Sequence, residues 1–98
     1  MTDWPFSDPP NVAVLTTRRI VRDAAWIARV VHDAEDGGWQ FHDGTPGARH
    51  EGDAVVTSLR DLVLRDASLR ALADLPEGWC AWRGSPEQPW QRARVDGV

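Results

Sequence analysis

The chain has 98 residues, 42% of them hydrophobic and 27% charged, with a formal charge of −4. A chain of this size makes one domain with a modest core and roughly 5 to 10 kcal/mol of stability. The single cysteine, Cys80, excludes an intramolecular disulfide and a cysteine-rich zinc site. No stretch approaches the roughly 18 apolar residues of a membrane span. Met1-Thr2-Asp3-Trp4-Pro5 lacks the basic-then-apolar order of a secretory signal, so a cytoplasmic location is the expectation.

Pro5, Pro9 and Pro10 each remove a backbone donor and restrict the residue before them, so residues 1–11 read as a flexible N-terminal arm. From Asn11 the run NVAVLTTRRIV is apolar and β-branched, which predicts a strand with Val12, Val14 and Thr16 on one side and Ala13 and Leu15 on the other. Residues 18–34 fit two templates. Ile20, Ala24, Ile27, Val31 and Ala34 recur at helical spacing, while WIARVVHD alternates as a strand after a turn at Arg22-Asp23. Asp36-Gly37-Gly38 tolerates positive φ and can reverse the chain into a third strand, where Trp39 and Phe41 share one face. Those strands read as a β-meander, and the core is the expected side for Trp39 and Phe41.

Residues 43–53 form an acidic, glycine-containing loop, after which Asp53–Thr57 suits a short edge strand or a direct lead into a helix. Thr57 or Ser58 can cap a helix whose stripe is Leu59, Leu62 and Val63. Asp66 can cap a second, with Leu69, Leu72 and Ala73 inward, and Leu75-Pro76-Glu77-Gly78 stops it. Trp79 to Arg83 alternates as a closing strand, and residues 84–98 read as a polar tail in which Trp90 can anchor a last extended piece. The fold class is α+β: a mainly antiparallel sheet (meander, helices, closing strand) with short helices on one face, in a single domain of residues 12–83.

Chemistry is sparse. The histidines stand in His32-Asp33, His42-Asp43 and His50-Glu51, spacings that match no chelating helix or strand pair, so no metal site is expected. Ser58 and Ser68 sit at helix starts, where capping explains them, and no nucleophile elbow occurs. Cys80 has no basic neighbour to activate its thiol and reads as a small buried hydrophobe. No phosphate-cradling glycine loop is present, so neither a catalytic residue nor a cofactor is expected. Arg18, Arg19, Arg22 and Arg29 are too few for nucleic acid in a chain of negative net charge. Charge is instead polarised: Asp33, Glu35, Asp36, Asp43, Glu51 and Asp53 face Arg49 alone, so residues 33–53 carry −5 and the rest +1. Such a segment steers toward a basic partner.

The order of these pieces resembles the immunity protein 33-like family of small bacterial domains. The resemblance rests on Thr16-Thr17-Arg18-Arg19-Ile20, on Asp36-Gly37-Gly38-Trp39-Gln40-Phe41-His42-Asp43-Gly44, on the leucines from Leu59 to Leu72 and on Leu75-Pro76-Glu77-Gly78, and covers roughly residues 12–83. It favours strands over residues 18–34. It implies a non-enzymatic protein that binds and neutralises a cognate toxin. The expected partner surface is Asp33, Glu35, Asp36, Asp43, Glu51 and Asp53, with Trp39 as anchor if exposed. The alternative is a regulatory module binding a small molecule or metal between sheet and helices.

Overall fold

A computed structural model describes residues 4–44 and 54–95. Six strands make one sheet in the order β4-β1-β3-β2-β5-β6, with every pair antiparallel except β1 and β3. Short helices cover one face, so the α+β class holds.

Strand β1 (Ala13–Thr17) alternates as its sequence demands, with Val14 and Thr16 buried and Leu15 exposed. Thr17 ends it and caps helix α1 (Arg18–Asp23), its hydroxyl accepting from the Ile20 amide at 3.3 Å and donating to Asp43 at 2.8 Å. The helix stops at Ala24, a left-handed residue at φ 57°, and the Ala25 amide closes back on the Arg19 carbonyl at 3.0 Å. This corrects the expectation of a strand and hairpin over residues 18–26. The reason is local: a hydroxyl cap at Thr17 and one inward residue, Ile20, suffice for a six-residue helix. The helix carries the chain past β3, so β1 pairs with β3 in parallel through Leu15 and Gln40, and the three strands do not form a meander.

Strands β2 (Ile27–His32) and β3 (Trp39–Asp43) form a hairpin. A register shift between Ile27 and Arg29 lets both Ile27 and Val30 point into the core. Gly37, at φ 71°, supplies the positive φ that the turn between them needs. Strand β4 (Ala54–Ser58) runs along the outer side of β1 as an edge. Ser58 caps helix α2 (Leu59–Arg65) by accepting from the Asp61 amide at 3.0 Å, and Leu59, Leu62 and Val63 turn inward. Asp66 caps a 3₁₀ helix, Ala67–Leu72, which buries Leu69 and Leu72. Strands β5 (Trp79–Trp82) and β6 (Gln91–Arg94) complete the sheet. The segment expected to be a polar tail therefore supplies a paired edge strand.

Residues 4–11 carry no helix or strand, yet they are no flexible arm. Phe6 is 6% exposed and meets Trp39 edge-on at 5.5 Å, and Asp8 accepts from the Trp39 indole at 3.1 Å. The carbonyls of Val12 and Pro10 receive the amides of Leu59 and Arg60, donors that open a helix and have no partner inside it. The fold thus takes in residues on both sides of the expected 12–83, from Phe6 to β6. Its core joins Phe6, the inward residues of β1, β2, β3 and β5, and the apolar stripes of the helices.

Candidate functional site

The acids singled out in the sequence do not share one surface. Asp33, Glu35 and Asp36 lie in the β2–β3 turn, at the end of the sheet where β1 and β3 begin. Two of them fasten the turn: Asp33 accepts from the Glu35 amide and Asp36 from the Gly38 amide, each at 2.8 Å. Glu77 adds a fourth carboxylate, since its Oε2 lies 2.9 Å from where a β-carbon on Gly37 would stand. Asp43 sits at the far end of β3, about 15 Å away at the rise of a strand, and takes the Thr17 hydroxyl. Glu51 and Asp53 lie outside the described residues. Trp39 is 3% exposed and packs within a row of aromatic rings, so it cannot anchor a partner. The alternation that put it beside Phe41 also put it inside.

Two of the three histidines are described, and they occupy opposite faces of the sheet. His32 pairs with Trp39 and stacks on its ring at 3.8 Å, its nitrogens 2.7 Å and 3.2 Å from the carbonyls of Leu75 and Gly37. His42 pairs with Arg29 on the other side. Among the described residues no three His, Cys, Asp or Glu side chains gather as metal ligands would. No helix among them is long and apolar enough to cross a membrane.

Two features emerge that sequence reading missed. The first is a knot around Arg83, a buried residue at the end of β5. Its guanidinium donates to the Ile27 carbonyl at 2.9 Å, to the Ser68 hydroxyl at 2.9 Å, to the Pro86 carbonyl at 3.3 Å and to the Asp66 carboxylate, and lies 4.1 Å from the Trp90 ring centre. Burial alone would push the Asp66 carboxyl up. The bonds from Ser68 and Arg83 outweigh that and hold it below the usual carboxylate range. Beside the knot, Ile20, Ala24, Trp26, Arg65 and Asp66 line a cleft of about 420 Å³. The only sequence signal was an arginine continuing the inward alternation of a tryptophan-rich strand.

The second feature is the face of the sheet that carries no helix among the described residues, called below the helix-free face. Cross-strand register lines up Val56, Leu15, Gln40, Val31, Cys80 and Ala93 in one row across all six strands. Cys80, expected to be buried, is half-exposed here because this side of β5 has no helix over it. Leu15 is 46% exposed and Val56 66%, large values for apolar side chains on adjacent strands. At this end of the row a shallow depression of about 150 Å³ is bounded by Leu15, Val56, Gln40, Gly38 and Asp36. An apolar floor and one edge of the acidic turn therefore meet in a single concavity.

The chain matches no family model, no curated protein and no solved structure.

Proposed function

We propose that this chain is a non-catalytic protein-binding domain that grips a cationic partner at the β4–β1–β3 end of its helix-free face. The observation that carries the reading is the depression where Leu15 and Val56 border Asp36. An arginine or lysine suits that chemistry: its aliphatic stem covers apolar surface while its head reaches a carboxylate. Glu35 and Asp36 are exposed on a turn held by its own hydrogen bonds, so their charge is presented in a fixed place. A pre-set field of this sign raises the encounter rate with a basic protein. The resemblance to immunity proteins points the same way, toward a cytoplasmic protein that neutralises a basic toxin. Relative to that expectation, the proposed surface keeps Glu35 and Asp36, adds Leu15 and Val56, and leaves out Trp39 and Asp43.

The test is calorimetric titration with a panel of basic bacterial toxin domains. Affinity is expected to fall by ~10-fold or more between about 50 mM and about 500 mM salt. Leu15→Arg is expected to abolish binding, and Glu35→Arg to slow association without unfolding the protein, since no hydrogen bond of the Glu35 side chain holds the turn. Salt-independent binding that tolerates both changes would overturn the reading.

A second reading has its own observation. The cleft beside Arg83 has the size of a small-molecule site, with Trp26 as a flat, partly exposed wall and Arg65 and Asp66 as polar points. Ligand-induced shifts of the Trp26 indole N–H in NMR spectra, with the Leu15 amide unmoved, would favour it over the sheet face.

A further inference from the structure

The two edges of the sheet are protected unequally. Edge β6 reads Gln91-Arg92-Ala93-Arg94, and Arg92 folds back to Asp74 at 3.0 Å and to the Ala71 carbonyl at 3.0 Å. Charge of this kind keeps foreign strands away. Edge β4 reads Ala54-Val55-Val56-Thr57-Ser58, with no charge, proline or glycine. It pairs with β1 through five consecutive residues without a bulge, and no described residue pairs with its other side. A straight, uncharged, β-branched edge is a template for another strand.

We propose that β4 is a self-association edge, joining two copies of the chain antiparallel about Val56 into one twelve-stranded sheet. Two observations select a second copy as the occupant. The strand is self-complementary: Val56 is its central residue, so a two-fold axis there sets Val56 opposite Val56 of the second copy and Val55 opposite Thr57. Because Leu15 is the register partner of Val56, the seam becomes an unbroken row of two leucines and two valines on the helix-free face. Those are the side chains left 46% and 66% exposed in the single chain.

Five-residue strand pairing buries less than the ~1,200 Å² of a stable standard interface, so the dimer is weak and concentration-dependent. The inference does not depend on the proposed cationic partner, and its experiment uses the protein alone. Sedimentation equilibrium from ~10 μM to ~1 mM is expected to show the mass rising from 10.9 kDa toward twice that value. Val56→Lys puts two like charges on the axis and is expected to weaken association by ~10-fold or more. Leu64→Lys is the control: Leu64, on α2, is 74% exposed but lies off the edge, and its change should leave association as it was. In hydrogen exchange, β4 amides should gain protection with concentration while β6 amides do not. A protein that stays monomeric to ~1 mM, or that associates equally well as Val56→Lys, overturns the proposal. Loss of association in Leu64→Lys but not in Val56→Lys does so too.

Discussion

On the helix-covered side of the sheet, Val14, Ile27, Val30, Trp39, Phe41 and Ala81 are all within 3% of full burial. On the other side, their chain neighbours Leu15, Gln40 and Trp82 stay partly or largely open to solvent. These residues belong to the same strands and differ only in the parity of their position. Stability is therefore concentrated on one side, where each large apolar side chain contributes roughly 1.5 to 3 kcal/mol by burial. The open side contributes little to folding, and so its residues can be chosen for contact with other molecules. That is the physical reason for placing the proposed partner surface there and not among the acids alone.

The sharpest way to break the comparison is to truncate neighbours of opposite parity. Phe41→Ala should cost about 4 kcal/mol, a large share of total stability, whereas Gln40→Ala should change it by less than about 0.5 kcal/mol. Urea denaturation of the two variants measures the difference directly. Arg83→Met comes next, with an expected loss of about 3 kcal/mol, because it leaves the Ile27 carbonyl, Ser68 and an ionised Asp66 without their common donor. Asp66 also contributes to the acid limb. Its folded pKa is lowered, so its contribution is complete above the unfolded value of about 4 and is lost as pH falls through the lower folded one. Thermal melts between about pH 5 and about pH 2 should show this step in the native chain and lose it in Asp66→Asn. The smallest effect has the opposite sign. The Thr16 hydroxyl is buried with no hydrogen-bond partner among the described residues, so Thr16→Val should stabilise the fold by about 1 kcal/mol.

Much of the covered side was legible in the sequence because its signals are local. Alternation placed Val14 and Thr16, and Trp39 and Phe41, on their faces. Leu59, Leu62 and Val63 gave the stripe of α2, and Ser58 and Asp66 stand where hydroxyl and carboxylate caps were expected. What escaped was non-local or unmarked. Nothing in the residues of β1 says that its neighbour is β3. Helix α1 ends on Ala24 rather than on glycine, so its stop carries no usual signature. Phe6 sits among prolines with no periodicity to reveal it, and nothing in the sequence beyond its inward parity shows that Asp66, Ser68 and Pro86 close over Arg83. The candidate surface fared similarly. Its acids could be counted, but only the register reveals that Asp36 borders Leu15 and Val56 while Asp43 stands at the other end of the strand.

The docking of the N-terminal segment bears on how this protein is made. Phe6 needs Trp39 beneath it, and the carbonyls of Pro10 and Val12 need amides some fifty positions later, at Leu59 and Arg60. Strand β2 in turn waits for β5, which pairs with it from Trp79 onward. A ribosome delivers these pieces in the reverse of the order in which they become useful, so the nascent chain stays unsettled until nearly all of residues 4–95 have emerged.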